Sequence, residues 1–201
     1  MNYMTIGEIA RVVSKGTTPS SVGLSFSTEG IAFLKGEDVQ GGAIDFSIAS
    51  TFINSDSHRI LKRSALEYGD VLITIAGTIG RIGFISERGR VANCNQAVAF
   101  VRPDLKKIDS EWLCYFLQSP RNQSKLSDFV AGGAIPNVNL QQIRSIEVPS
   151  IDINNQRRMA ARMKSQLTEV GKARKAALTQ LGQIDLLTSR ILAQEFHELE
   201  A

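Results

Sequence analysis

Two regimes of apolar and polar positions follow one another along the chain, and the change falls after Pro103. Before it, short apolar runs are punctuated by glycine. Residues 5–13 carry Ile6, Ile9, Ala10 and Val13 at the spacing of one helix face, and the turn formers Lys15-Gly16-Thr17-Thr18-Pro19-Ser20 stop them. Ile31-Ala32-Phe33-Leu34 predicts a buried strand leading into Lys35-Gly36-Glu37-Asp38, and Gly41-Gly42 turns the chain back. Val71-Leu72-Ile73-Thr74-Ile75 is the strongest strand, β-branched, introduced by Gly69-Asp70 and closed by Gly77. Residues 81–85 return from it through a tight hairpin, and Ala97-Val98-Ala99-Phe100-Val101 is a further strand.

After Pro103 the pattern becomes helical. Asp109 is the expected N-cap, with Glu111 in the first turn and Trp112, Leu113, Tyr115, Phe116 and Leu117 forming an apolar face. Ser119-Pro120 ends or kinks that helix, and a second runs to Phe129 and stops at Gly132-Gly133. A loop through Asn137 and Asn139 leads to a short helix at 140–143, and Ile146-Glu147-Val148-Pro149 predicts a last edge strand. From about Asn154 to Glu200 only Gly171 and Gly182 weaken a helix of about 70 Å. Met163, Val170, Ala177, Ile184 and Ile191 recur every seventh residue, with Leu167 and Leu181 at the second apolar position, which Arg174 and Thr188 interrupt. This is a coiled-coil stripe, and a single helix of that length needs another helix to bury it. The fold class expected is therefore α+β: a mixed-sheet domain over residues 1–150, then one long coiled-coil-forming helix over 151–201.

Charge sharpens the second half of that picture more than the first. Residues 1–151 are nearly balanced, with 15 Lys and Arg against 14 Asp and Glu. In the helix, Arg157, Arg158, Arg162, Lys164, Lys172, Arg174 and Lys175 precede Asp185, Glu195, Glu198 and Glu200. The helix dipole favours the reverse order. Two copies packed antiparallel would set each basic half against the other's acidic half and so fix orientation; a plain solvated face is the competing account of the charges. No apolar run is long enough for a membrane span, and Met1-Asn2-Tyr3-Met4 lacks the pattern of an export signal. With Cys94 and Cys114 as its two cysteines, the chain fits a reducing cytoplasm.

Candidate chemistry is sparse. His58 and His197 have no metal-ligand spacing around them and read as surface or capping residues. No phosphate-binding Gly-x-x-x-x-Gly-Lys sequence is present, and the glycines of 77–83 have the wrong spacing for a dinucleotide loop. Asp104-Leu105-Lys106 has the Asp-x-Lys form of metal-dependent nucleases, but it follows Pro103 in a loop rather than lying on a strand beside a second carboxylate. What remains are loops rich in Gly, Thr, Ser, Asn, Gln and cations at 15–20, 35–40, 77–81, 93–96 and 132–139. Such side chains can address base edges and can equally build turns.

In their order, these segments resemble the specificity subunits of type I restriction-modification systems. The matching stretches are Ile6-Gly7-Glu8-Ile9-Ala10 before Lys15-Gly16-Thr17-Thr18-Pro19-Ser20, then Ile31-Ala32-Phe33-Leu34-Lys35-Gly36-Glu37-Asp38-Val39. Gly69-Asp70-Val71-Leu72, Gly77-Thr78-Ile79-Gly80 and Asn95-Gln96-Ala97-Val98 follow. The close is matched by Gly132-Gly133-Ala134-Ile135-Pro136-Asn137-Val138-Asn139, Ile146-Glu147-Val148-Pro149 and Asn155-Gln156-Arg157-Arg158-Met159, where Asn155 replaces an acidic residue.

The resemblance implies a non-catalytic subunit with one target recognition domain, and long helices that space such domains and dock methyltransferase subunits. S-adenosylmethionine, ATP and magnesium would belong to the methyltransferase and motor-nuclease partners, with no cofactor in this chain. Two copies would pair as an antiparallel homodimer through Met163, Leu167, Val170, Ala177, Leu181, Ile184 and Ile191 and read an interrupted palindrome in double-stranded DNA. Lys15, Thr17, Lys35, Thr78, Arg81, Asn93, Gln96, Asn137 and Asn139 are the candidate base contacts, and Arg59, Lys62 and Arg63 the candidate phosphate contacts. An orphan or antirestriction protein of the same fold, and a small nuclease using Asp104 and Lys106, are the rival readings.

Overall fold

The computed structural model describes residues 2–130 and 137–197. In chain order the elements are β1 (Tyr3–Thr5), α1 (Ile6–Ile9), β2 (Ala10–Lys15), β3 (Ile31–Leu34), β4 (Phe52–Ile53), α2 (Ser55–Ile60), β5 (Ala65–Leu66), β6 (Val71–Thr74), β7 (Ile82–Phe84), β8 (Ala92–Cys94), β9 (Val98–Pro103), α3 (Ser110–Gln118), α4 (Pro120–Asp128), α5 (Leu140–Arg144), β10 (Glu147–Pro149) and α6 (Ile153–His197). The expected α+β class with a mixed sheet and a long C-terminal helix is what the chain adopts. By contacts it divides into compact units 1–160 and 161–201.

Within the first unit, one antiparallel sheet has the order β2-β9-β6-β7 and a second, mixed sheet the order β4-β3-β8-β5, with β3 parallel to β8. The core lies between them: Leu72, Val98 and Phe100 of the first sheet meet Ala32, Leu34, Leu66, Ala92 and Cys94 of the second. The other face of the first sheet is covered by α3, which packs on β6 and β7 and buries Trp112, Leu113 and Leu117. Every residue of β6 is therefore buried, which is why its sequence is a continuous apolar run rather than an alternation. β1 and β10 pair as a separate antiparallel ribbon.

Residues 5–13 depart from the expectation of one short helix. A single turn, α1, seats Ile6 and Ile9 in the core, and the chain then enters β2, where Val13 points inward. The register of β2 against β9 shifts between Ala10 and Val12. That bulge breaks the two-residue alternation, so the strand's apolar positions imitate helical spacing.

The start of α6 belongs to the globular unit, which reaches Ala160 rather than ending at 150. Gln156 is fully buried. It donates to the carbonyls of Lys107 (3.0 Å) and Ile151 (2.7 Å) and accepts from the Asp109 amide (2.9 Å). The Asp152 carboxylate caps the helix, accepting from the backbone amides of Asn154 and Asn155 at 3.1 and 3.0 Å. Asn155 donates its side-chain amide back to the same carboxylate, so the acid that Asn155 lacks is supplied three residues earlier. These bonds, led by that to the Asn155 amide, hold the Asp152 carboxyl below its ordinary range.

Along the second unit, Leu167, Val170, Leu181, Ile184 and Ile191 are 54–63% exposed. Leu178, Leu187 and Leu192 widen the same face at helical spacing and are as exposed. Gly132-Gly133 and the acidic Glu198 and Glu200 lie outside the described residues. No helix among the described residues is long and apolar enough to cross a membrane.

Candidate nucleic-acid interface

Four of the polar loops picked out in the sequence, at 15–20, 35–40, 77–81 and 93–96, lie at one end of the sheets. Strands β2 and β6 run the same way because both pair antiparallel with β9, and β3 runs parallel to β8. Residues 95–97 carry β8 straight into β9, so the exits of β2, β3, β6 and β8 share a rim with the entries of β9 and β7.

Backbone contacts tie these loops together. The Gly16 amide donates to the Val98 carbonyl (3.0 Å), and the Thr17 amide to the Cys94 carbonyl (3.1 Å). A Cβ on Gly16 would lie 2.0 Å from the Cys94 oxygen and 2.2 Å from that of Asn95, so no other residue allows this approach. The Thr18 hydroxyl donates to the Gln96 side-chain oxygen. An open cleft of about 550 Å3 results, bordered by Lys15, Thr17, Ser20 and Gln96. Beside it, the Asn95 amide donates to the Leu34 carbonyl (3.0 Å) at the head of the 35–40 loop. There Lys35 sits 5.9 Å above the Phe26 ring and 4.0 Å from Glu37.

The 77–81 hairpin is pinned by a buried residue that the sequence reading passed over. Thr74 donates its hydroxyl to the Thr78 carbonyl (2.6 Å) and accepts from the Arg81 amide (2.9 Å). One polar side chain closing an otherwise apolar strand was the available signal. Gly77 and Gly80 take φ of 71° and 89°, leaving Thr78 and Arg81 exposed. Asn137 bridges to Ala76 and the Val138 amide donates to the Ile75 carbonyl (3.0 Å), which brings these two residues to the same rim. Asn139 is exposed, but its side chain caps α5 by accepting from the Gln142 amide (2.9 Å).

Asn93 is a correction. It is fully buried, donates to the Leu61 carbonyl (3.0 Å) and the Ser64 hydroxyl (3.2 Å), and shares its oxygen with the His58 ring. With its amide so engaged in the core, it has nothing left for a base. Its work is to fasten the turn after α2 to β8, and the half-buried His58 bonds to it rather than standing free on the surface. That fastening holds Lys62 and Arg63, both exposed, at the entry to β5. Arg59 is exposed and paired to Asp56 at 2.6 Å. Around the rim, Lys15, Lys35, Lys62, Arg63 and Arg81 outnumber Glu37 and Asp38.

Neither thiol is poised for chemistry. Cys94 and Cys114 are free and buried; burial pushes the Cys94 thiol far above its ordinary value and that of Cys114 up to about 12. Asp104 accepts from the Lys106 amide (3.1 Å) in a turn. No group of three or more potential metal-binding side chains occurs among the described residues.

Comparison with known proteins gives a consistent result. Residues 1–180 match the family model described as the type I restriction modification DNA specificity domain. The chain is 30% identical over 168 residues to the type I restriction enzyme EcoBI specificity subunit of Escherichia coli, covering 84% of this chain and 35% of that one. It is 28% identical over 145 residues to the MjaVIII specificity subunit of Methanocaldococcus jannaschii, covering 70% and 34%. The chain thus spans about a third of the length of these relatives. Among solved structures, the HsdS subunit from Thermoanaerobacter tengcongensis aligns with a TM-score of 0.60 at 18% identity, covering 87% of this chain and 39% of that one. A chain from a study of assembly and conformational transition in the type I R-M system aligns at 0.67 and 17%, covering 87% and 40%. The chain belongs to the type I restriction-modification DNA specificity domain family.

Proposed function

We propose that this chain is the DNA-reading component of a type I restriction-modification complex and performs no covalent chemistry itself. The observation that carries this is the convergence of four polar loops, joined by Asn137, on one rim, with exposed amides, hydroxyls and an excess of cations. Lys15, Thr17, Lys35, Thr78, Arg81, Gln96 and Asn137 address base edges there. Lys62, Arg63 and Arg59 hold phosphates and set position. The modest total charge of +3 goes with weak binding by the isolated chain, since affinity for DNA scales with the phosphates neutralised.

The exposed apolar face of 163–192 supports pairing of two copies through α6, antiparallel, so that two recognition units read an interrupted palindrome. Methyltransferase subunits dock on the same helices and supply adenine methylation with S-adenosylmethionine; a motor-nuclease subunit supplies ATP-driven, magnesium-dependent cleavage. A cytoplasmic location goes with these partners.

The test is to co-express the chain with a type I methyltransferase subunit and to map methylated adenines in the host DNA. The expected result is one bipartite, palindromic motif that disappears when this chain is omitted. Methylation unchanged by its omission would refute the proposal, and a stable monomer by light scattering in the presence of DNA would refute the pairing.

A further inference from the structure

A second cleft, of about 520 Å3, opens on the other side of the 77–81 hairpin, lined by Gln40, Gly41, Gly80, Arg81, Gln118 and Gln123. Its three glutamines come from the 35–40 loop, the end of α3 and the first turns of α4, and no loop-based reading of the sequence would group them. All three amides are held the same way round. Gln40 donates its nitrogen to the Glu37 carbonyl (3.3 Å), Gln118 to that of Cys114 (3.3 Å) and Gln123 to that of Leu117 (3.0 Å). An amide whose nitrogen is fixed on the main chain presents its oxygen as an oriented acceptor. The glycines leave room for those oxygens: a Cβ on Gly80 would lie 2.8 Å from Gln123 Oε1, and one on Gly41 3.5 Å from Gln118 Oε1. Arg81 is exposed, and no ion pair to it is found among the described residues.

We infer that this cleft reads one G·C base pair from the major groove, with Arg81 on guanine and the Gln118 and Gln123 oxygens on cytosine. The inference rests on the DNA-reading function proposed above and names a specificity subsite within it. Guanine offers two acceptors, N7 and O6, to a guanidinium fork, and cytosine beside it offers an N4 amine donor. The cleft presents the complement, a cation with two parallel donors next to fixed, uncharged acceptors. A phosphate fits poorly, because amide oxygens around the cation face its own oxygens. An A·T pair fits less well, because thymine O4 engages one arm of the fork and its methyl group meets a polar wall.

The experiment uses the complex with the methyltransferase subunit and reads the sequence context of modified adenines for the wild type, Arg81→Lys, and the Gln118→Leu/Gln123→Leu double variant. Arg81→Lys keeps the charge and loses the fork. The wild-type motif is expected to contain a required G·C pair, and both variants to relax selection at that same pair by about 10- to 100-fold while other positions hold. Gln123→Glu, which keeps an acceptor, should retain the preference with weaker overall binding. A motif without a G·C pair, relaxation at different positions in the two variants, or a uniform loss across all sequences would overturn the inference while leaving the DNA-reading function intact. Absence of any motif with the wild-type complex would overturn both, and is seen before a variant is made. Should the double variant not assemble, Arg81→Lys alone decides.

Discussion

Arg102 and Arg81 belong to the same four-stranded sheet, one within β9 and the other at the entry to β7, and their circumstances are opposite. The Arg102 side chain is 14% exposed and grips both oxygens of the buried Asp70 at 2.8 Å, Glu67 at 3.0 Å and the Ala65 carbonyl at 2.9 Å. Arg81 shares its rim with other cations and is open to solvent. At the Arg102 end, polar groups are matched within the chain, as Gln156 also shows; at the Arg81 end, the backbone is pinned while side chains such as Arg81, Thr78 and Lys15 stay in solvent. The difference separates architecture from recognition. A fold that fixes the main chain of a loop and leaves its side chains in solvent keeps those side chains available for binding.

Substitutions should therefore divide sharply between the two ends. The largest effect is expected for Arg102→Leu, which strands the Asp70 carboxylate in the core at a cost of about 3–5 kcal/mol, read by chemical denaturation. Burial already raises the Asp70 carboxyl above its ordinary range, against the pull of Arg102. Without Arg102 to lower it, that carboxyl rises further, and a raised folded-state value means that protonation favours the fold, so the deficit should narrow in acid and widen toward neutrality. A deficit independent of pH would show that Asp70 is not the stranded charge.

Next comes Gln156→Leu, which leaves the Asp109 amide and the Lys107 and Ile151 carbonyls without their partner; about 2–3 kcal/mol should be lost. Gly16→Ala should cost about 1–3 kcal/mol through its clash with the 94–95 backbone. It alone should couple the two ends of the comparison, by weakening both stability and sequence selection. The smallest stability change is expected at the open rim: Gln96→Ala and Lys62→Ala should each shift unfolding by no more than about 0.5 kcal/mol, while the first alters the methylated motif and the second lowers binding to all sequences alike. A large stability loss from either would blur the contrast.

What could be read from the residues beforehand follows the same division. Strands β3, β6 and β9 announce themselves because burial on both faces demands unbroken apolar runs, and α3 because Asp109 caps it as the sequence suggests. Strands β4, β5 and β8 are two or three residues long, too short for any period to show; pairing with neighbours far along the chain is what makes them strands. The rim's residue types are visible in the sequence, but the direction a side chain faces is not. Asn93 and Gln96 lie three residues apart in one polar stretch, yet one is sealed in the core by Leu61 and Ser64 and the other borders an open cleft. Gln118 and Gln123 were hidden for another reason, since a helix surface gives no sign of which loop will be folded beside it.

The parallel pairing of β3 and β8 has a bearing on how such a protein can change its preferences. Neighbouring strands lie about 4.8 Å apart, so the turns that begin at Lys35 and Asn95 emerge side by side, and Gly16 wedges a third against them. On the proposed DNA-reading role, a duplex would meet these three segments as one surface. Transplanting a single segment from a relative would leave it pressed against foreign neighbours, whereas exchanging all three together would carry the whole vocabulary across.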